Sequence, residues 1–285
     1  MRISFFLARV LSKLRLLPFF NGSVSISVNK KKMIIPLLGR QGYENLRLSE
    51  PWMTKTLLAL RPLFKGHFVD VGVNTGQTLL KSQAVFDEVH YLGFEPNSSC
   101  VNYVQELVRL NEFEHITVLP IAVGEKTEML RLNFFSPDKS DSSASIIENF
   151  RPNATTDHYV YVPVYDFQLL SGFLPEKHLS ILKIDVEGAE MEVLYGLKEW
   201  INTYHPLILI EILPVYNAEN TARLNRQHKI EELLRNVHYK IARLKKKDEV
   251  HLEIITEFGI HSLIEDCDYL LYHETLDEKV KACFN

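Results

Sequence analysis

From His67 onward, short apolar runs alternate with longer segments whose apolar residues recur at helical spacing. This alternation predicts parallel strands joined by helices that cover both faces of a sheet. The predicted strands are Phe68–Val71, Tyr91–Phe94, Ile116–Ile121, Ser180–Ile184 and Leu207–Ile212. The predicted helices are Thr75–Phe86, Ser98–Leu110 and Ala189–Thr203. The pattern indicates an α/β, Rossmann-like fold, in which ligands bind at the carboxyl ends of the strands.

Further segments complete the sheet towards the C-terminal end. Arg223–Val237 has the spacing of a helix, and Leu252–Phe258 and Asp268–Tyr272 have the pattern of strands. We expect these two strands to pair as an antiparallel hairpin at the edge of the sheet. The sequence thus predicts a mainly parallel sheet of seven strands with an antiparallel C-terminal hairpin.

An insertion at about residues 124–179 is too long for an ordinary connection between a strand and a helix. Within it, Leu130–Phe135 and Tyr159–Tyr165 alternate like strands, and the segment 136–145 between them is polar. We expect this polar segment to lie over the pocket, with Ser145 among the residues that bind a cofactor.

Residues 1–65 precede this pattern and are predicted to form an extension, whereas residues 66–285 form the main domain. Val24–Val28 and Met33–Leu37 alternate on either side of a polar turn and predict a hairpin. The segment 40–61 contains a loop and a helix.

The first twenty residues have the pattern of a basic amphipathic helix. They are too short and too charged to span a bilayer, and no small-residue cleavage site follows them. One interpretation is a helix that packs on its own domain or on a second copy of the chain, and the other is a helix that lies on an anionic membrane. The apolar face consists of Ile3, Phe6, Leu7, Val10, Leu14 and Leu17.

A glycine-containing turn, Asp70 to Gly76, follows the first predicted strand. Gly72 and Gly76 allow a tight turn close to a ligand, but Asn74 stands where a dinucleotide-binding fingerprint needs its second glycine. Asp70 would repel a pyrophosphate and attract a cofactor that carries an ammonium and a sulfonium. This turn, with Thr75, is the predicted binding site of such a cationic cofactor.

Glu95 ends the second predicted strand, where a carboxylate can accept hydrogen bonds from both hydroxyls of a ribose. Pro96 and Asn97 follow it directly, and Ala122 ends the third strand, where it would supply an apolar wall for an adenine ring. These residues and the glycine turn form one predicted cofactor site.

The sequence resembles the FkbM family of S-adenosylmethionine-dependent methyltransferases. The resemblance rests on FVDVGVNTGQT at 68–78, GFEPN at 93–97 and LKIDVEGAEMEVLYG at 182–196, and it covers about residues 66–213. It implies a class I methyltransferase fold, S-adenosylmethionine as the cofactor, and transfer to a hydroxyl oxygen of substrates that include glycans and polyketides.

Methyl transfer to oxygen requires an aligned acceptor and a base. Asp185 follows the fourth predicted strand, and Lys183 lies two residues earlier on the same side, so the pair is a candidate to orient a hydroxyl and accept its proton. Glu187 and Glu211 are further candidates at the same edge. Alternatively, Asp185 caps the following helix, or these acids hold a divalent metal; we predict catalysis without a metal.

Charge and composition restrict the class of substrate and the expected location. The formal net charge of −4 gives the chain no overall basic character, so nucleic acid is not the expected substrate. The three cysteines have no metal-ligand spacing, and the expected location is the cytoplasm, either free or at the inner membrane face. We expect a small molecule or glycan as acceptor. The alternative acceptor is a lipid or polyketide hydroxyl. The alternative functions are a nicotinamide-dependent oxidoreductase and a non-catalytic module docked to a membrane or enzyme complex.

Overall fold

A computed structural model describes residues 1–136, 141, 143–147 and 155–284. Its strands are β1 (Arg2–Ile3), β2 (Asn21–Val28), β3 (Lys31–Leu38), β4 (His67–Val71), β5 (His90–Phe94), β6 (Ile116–Leu119), β7 (Ala122–Val123), β8 (Glu128–Phe134), β9 (His158–Tyr165), β10 (Ile181–Ile184), β11 (Leu207–Glu211), β12 (Tyr239–Lys246), β13 (Val250–Ile255) and β14 (Asp268–His273). Its α-helices are α1 (Phe5–Lys13), α2 (Pro51–Leu60), α3 (Gln77–Val85), α4 (Ser98–Asn111), α5 (Phe167–Leu170), α6 (Glu190–Gly196), α7 (Lys198–Tyr204), α8 (Thr221–Asn236) and α9 (Asp277–Cys283).

The main sheet has eight strands in the order β13-β12-β14-β11-β10-β4-β5-β6. The five strands from β11 to β6 are parallel, as predicted, and the other three are antiparallel. β4 lies between β5 and β10, so that Asp70 faces Gly93 on one side and Lys183 on the other. The chain continues from β4 to β5 and β6 on one side, whereas β10 and β11 lie on the other side of β4. This reversal of the strand order places a crevice at the carboxyl ends of these strands.

The predicted C-terminal hairpin is wrong in its partners. β13 pairs with β12, whereas β14 lies between β11 and β12 and is antiparallel to both. The prediction missed β12 because basic residues interrupt its apolar pattern. Lys245 and Lys246 belong to this strand and form ion pairs with Asp266 and Asp268. The extra strand makes eight instead of seven.

Two predicted elements are shorter than expected. The helix expected over Ala189–Thr203 is two helices, α6 and α7, which meet at Leu197. The strand expected over Ile116–Ile121 ends at Leu119, because Pro120 has no N–H to continue the ladder. The next residues form β7, which belongs to a different sheet.

The insertion carries structure of its own, as expected. β8 and β9 form an antiparallel pair, and β7 joins β9 to complete a sheet of three strands. Part of the polar segment predicted between the two long strands, residues 137–140 and 142, lies outside the described residues.

The N-terminal hairpin is confirmed. β2 and β3 are joined by Asn29 and Lys30, both with positive φ, which is the conformation of the commonest two-residue hairpin turn. On α4, the Asn111 side-chain oxygen accepts from the Ile34 N–H at 2.7 Å and its amide donates to the Ile34 carbonyl at 2.7 Å. Buried residues of β3 and of the main sheet share one hydrophobic core. The division at residue 65 remains a prediction.

Within the described ranges, no helix combines the length and the hydrophobicity that a bilayer crossing needs. 

We predict that Asn111→Ala lowers the free energy of unfolding by about 1–3 kcal/mol, because both backbone groups of Ile34 lose their partner. Chemical denaturation measures this loss. Asn102→Ala is the matched control, since Asn102 is exposed on the same helix. Alanine favours a helix more than asparagine does, so Asn102→Ala should cause no such loss, and an equal loss in both variants would show that the contact with β3 is not responsible.

Candidate functional site

The turn after β4 requires glycine at its first position. Gly72 has a φ of 90°, and a Cβ added there would lie 1.9 Å from the carbonyl oxygen of Asp185. Asn74 has a φ of 48°, which asparagine tolerates better than most side chains. Gly76, with a φ of 77°, immediately precedes α3. The turn therefore brings the backbone after β4 against the backbone after β10.

Glu95 is fixed at the end of β5 by two backbone donors. Its Oε2 accepts from the Asn74 N–H at 2.7 Å, and its Oε1 accepts from the Asn97 N–H at 2.8 Å. The residue is only 7% exposed, and this burial raises the pKa of Glu95 to about 7, although both N–H donors lower it. Each carboxylate oxygen keeps a second lone pair for a ligand.

Glu95 lines a cavity of about 170 Å³, which we call the first cavity. It is lined by Pro96, Asn97 and Ala122, which the sequence predicts to bind the cofactor. Leu132 and Ile146 of the insertion form an apolar wall opposite them. Asp185, Glu187 and Glu211 also line this cavity, so the structure brings together the predicted cofactor and acceptor residues.

Asp70 does not face this cavity, which corrects the prediction that its carboxylate attracts the cofactor directly. Its side chain is fully buried, accepts a hydrogen bond from the Tyr91 hydroxyl and lies 3.3 Å from Nζ of Lys183. Burial raises the pKa of Asp70, and Lys183 opposes that rise. The local motif does not determine that Asp70 lies opposite Lys183 of the neighbouring strand.

The Lys183–Asp185 pair is present as predicted. Nζ of Lys183 lies 3.2 Å from the Asp185 carboxylate and donates to the Gly72 carbonyl at 3.0 Å. Burial acts to lower the pKa of Lys183, but the carboxylates of Asp185 and Asp70 outweigh it and raise that pKa. The alternative capping role of Asp185 is wrong, because α6 begins five residues later and its N-cap is Ala189.

Glu211 lies in acidic surroundings at the end of β11. Burial first, and then repulsion from Asp185 and Asp268, raise the pKa of Glu211 to about 9. Glu211 is therefore protonated near neutral pH.

Glu187 adopts a positive φ of 50°, and its carbonyl accepts a hydrogen bond from the Ser145 hydroxyl at 2.7 Å.

Three predicted cofactor residues take other positions. Ser145 is 1% exposed and ties the insertion to the turn after β10 instead of lining the first cavity. Thr75 accepts from the Asn45 amide through its carbonyl, at 2.6 Å, and its hydroxyl lies 3.1 Å from the Asn45 oxygen. Gly76 lines neither the first cavity nor the polar cavity on the other side of Asp185. These positions depend on contacts with distant segments.

A second cavity of about 510 Å³ lies between the extension and the strand ends. Arg40, Ser49 and Glu50 line it from the extension, and Lys183 lines it from β10. Gly72, Asn74 and Asp185 line both cavities and form the boundary between them. The second cavity is largely polar, whereas the first has an extensive apolar wall.

Sequence reasoning missed the residues that line the second cavity from the extension, and the buried lysine that pairs with one of them. Lys81 is 1% exposed on α3 and forms an ion pair with Glu50 at 3.3 Å. Glu50 has a φ of 58°, and such uncommon backbone conformations cluster at functional sites. The signal available in the sequence was that Lys81 is the one charged residue of α3.

Asp141 of the insertion was also missed. It lines the first cavity and accepts hydrogen bonds from the backbone of Phe135, Ser136 and Ser143. These bonds hold the described part of the polar segment beside the cavity. In the part of the chain that the structure describes, no group of three or more His, Cys, Asp or Glu side chains is arranged to hold a metal ion.

Comparison with known proteins identifies the family of this chain. The family model described as the Methyltransferase FkbM domain matches residues 70–269. The chain belongs to this family. It has the Rossmann-like class I fold of methyltransferases, as the motifs at β4, β5 and β10 predicted.

A curated relative shares a low sequence identity with this chain. Methyltransferase 1 of Beauveria bassiana (strain ARSEF 2860) is 29% identical over 145 residues, which cover 46% of this chain and 58% of that protein. The chain therefore matches less than two thirds of this curated relative.

Solved structures resemble the fold with low sequence identity. Methyltransferase FkbM from Methylobacillus flagellatus KT has a TM-score of 0.44 and 15% identity, over 74% of this chain and 44% of that one. A putative methyltransferase from Streptococcus mutans in complex with SAH has a TM-score of 0.42 and 5% identity, over 78% and 98%. A putative rRNA-methylase from Clostridium thermocellum has a TM-score of 0.43 and 10% identity, over 78% and 94%.

We predict that Glu211→Gln stabilises the protein in alkaline but not in acidic solution. The raised pKa of Glu211 means that the folded state holds a proton that the unfolded state releases at lower pH. Stability therefore falls as pH rises from about 4.5 to 9, and glutamine removes this contribution.

Thermal unfolding between pH 5 and pH 9 measures the difference, and the melting temperatures of variant and parent should separate progressively with pH. Glu88→Gln is the control, because Glu88 is exposed. A constant offset across this range would mean that the glutamine acts through packing.

Proposed function

We propose that this protein transfers a methyl group from S-adenosylmethionine to a hydroxyl oxygen of a sugar or glycan. The observation that carries the proposal is the position of Asp185, which faces both an apolar-walled cavity next to Glu95 and a separate polar cavity. A donor and an acceptor held in adjacent cavities would meet at this carboxylate.

The first cavity fits the donor. The two oxygens of Glu95, oriented by backbone N–H groups, are suited to accept hydrogen bonds from the two hydroxyls of a ribose. Ala122, Leu132 and Ile146 provide the apolar surface that an adenine ring requires. Gly72 lets a ligand approach the backbone closely, since no side chain projects there.

Asp185 is the proposed general base. When bound, S-adenosylmethionine supplies a methyl group on a positively charged sulfur. The Asp185 carboxylate accepts the proton of the attacking hydroxyl, and Lys183, at 3.2 Å, holds this carboxylate in place. Lys183 is fixed in turn by Asp70 and the Gly72 carbonyl, so the base is oriented before the acceptor arrives.

The polar second cavity supports a hydroxyl-rich acceptor. Arg40 supplies hydrogen-bond donors, Glu50 supplies acceptors, and Ser49 and Gln77 supply both. A sugar ring presents several hydroxyls that both donate and accept, which matches this mixture. The net charge of −4 argues against a nucleic acid acceptor. A lipid or polyketide hydroxyl is the alternative acceptor, and a cofactor-binding module without catalysis is the alternative function.

We predict that the protein binds S-adenosylhomocysteine and that Glu95→Gln weakens this binding by about tenfold or more, the effect of losing a charged hydrogen-bond acceptor. Because the pKa of Glu95 is about 7, affinity in the parent should rise with pH between about 6 and 8 as the carboxylate ionises.

Isothermal titration calorimetry measures both effects, and the pH dependence should disappear in Glu95→Gln. Glu88→Gln, which changes an exposed acid, is the control. An absence of binding heat in the parent at high protein concentration would overturn the proposed cofactor.

We predict that Asp185→Asn keeps the affinity for S-adenosylhomocysteine but lowers methyl transfer by about a hundredfold or more, the usual contribution of a general base. The assay is label transfer from tritiated S-adenosylmethionine to a panel of simple sugars and polysaccharides. Full transfer by the variant would remove Asp185 from the reaction. Transfer by the parent to lipids but to no sugar would replace the proposed acceptor class.

A further inference from the structure

The charges of the chain are distributed unevenly. Residues 1–43 contain eight lysines and arginines and no aspartate or glutamate. Because the whole chain has 32 basic and 36 acidic residues, residues 44–285 carry 24 and 36, so a segment of +8 precedes a remainder of −12. Such an asymmetry indicates a contact of the basic segment with an anionic surface.

Residues 1–20 also expose large apolar side chains, and these twenty residues are called the N-terminal patch below. Phe6 is 75% exposed, Leu14 62% and Phe19 88%. In α1 only Ala8 is buried. The predicted apolar face is thus divided: Ile3 and Leu17 pack on the protein and Val10 is half-buried, while Phe6, Leu7 and Leu14 stay exposed. A helix that packed fully on its own domain would bury this face. Single exposed apolar residues are ordinary, but a cluster of them marks an interaction site.

The cations of the N-terminal patch are interspersed with these apolar residues along the chain, and the Arg9 guanidinium lies 6.0 Å from the centre of the Phe5 ring. Arg2, Arg9, Lys13 and Arg15 are all exposed. None of the ion pairs found among the described residues includes any of the four. Their charge is therefore available to an external partner.

We propose that the N-terminal patch docks on the surface of an anionic lipid bilayer. Phe6, Leu14 and Phe19 would enter the boundary between headgroups and acyl chains, and the four cations would lie at the phosphate level. With nine residues, α1 is roughly 14 Å long, which suits a helix lying along the interface.

Charge favours the bilayer over a second copy of the chain. A symmetric dimer through this patch would place identical basic surfaces against each other, and like charges in contact are unfavourable. An anionic bilayer provides both negative charge for the arginines and apolar volume for the phenylalanines. Neither requirement depends on the reaction proposed above.

The test is sedimentation of the full chain with phosphatidylcholine vesicles, with and without phosphatidylserine. We expect binding only to the vesicles that contain phosphatidylserine, and weaker binding at high salt. Each cation near an anionic surface strengthens binding about fivefold, so the double variant Arg9→Gln, Lys13→Gln should bind about 25-fold more weakly. The double variant Phe6→Ser, Phe19→Ser should also lose binding.

Matched controls are available elsewhere on the surface. Lys198→Gln combined with Lys279→Gln removes two exposed charges outside the patch, and Phe173→Ser removes an exposed phenylalanine that is 55% accessible. These variants should bind as the parent does. Thermal unfolding of every variant establishes that the loss of binding is not a loss of folding.

Several results would overturn the proposal. They are equal binding to neutral and anionic vesicles, no binding to either, or unchanged binding in the Arg9→Gln, Lys13→Gln variant. Concentration-dependent dimerisation that Phe6→Ser, Phe19→Ser abolishes, with no vesicle binding, would assign the patch to a second copy. Equally salt-sensitive binding to a single-stranded RNA of random sequence, with no vesicle binding, would assign it to nucleic acid.

Discussion

Lys183 places a full positive charge inside the sheet, where its side chain is only 8% exposed. A buried charge is stable only when it is paired and hydrogen-bonded. Here Asp70 lies on one side, Asp185 lies on the other, and the Gly72 carbonyl accepts the remaining bond. This one ammonium therefore joins β4, β10 and the glycine turn. Removing it would leave Asp70 as an unpaired buried carboxylate, which is costlier than losing the pair.

The two cavities differ because different segments close them. The insertion brings Leu132 and Ile146 to the first cavity, so its wall is apolar. The extension brings Arg40 and Glu50 to the second, so its lining is polar and charged. Neither segment belongs to the parallel core. The core supplies the shared boundary at Asp185, and its additions supply the chemical character of each side.

Electrostatics connects the site to the rest of the molecule. Burial at the end of β11 first, and then repulsion from Asp185 and Asp268, raises the pKa of Glu211 to about 9. The compensating cations in this neighbourhood, Lys183 and Lys81, come from inside the fold. The eight cations of residues 1–43 lie in a segment without a single acid, so charge is distributed unevenly along the chain.

Local patterns were sufficient for the parallel core and for the turn that ends at Gly76, because strand periodicity and positive-φ glycines are properties of neighbouring residues. The pairing of Lys183 with Asp185 also followed from a spacing of two along one strand. Tertiary structure alone decided that Asp70 is turned into the protein, since its partners Tyr91 and Lys183 come from adjacent strands. It likewise decided that β14 separates β11 from β12 and that Asn45 and Glu50 reach the site. Contacts between residues far apart in the chain depend on register and packing, which no local pattern encodes.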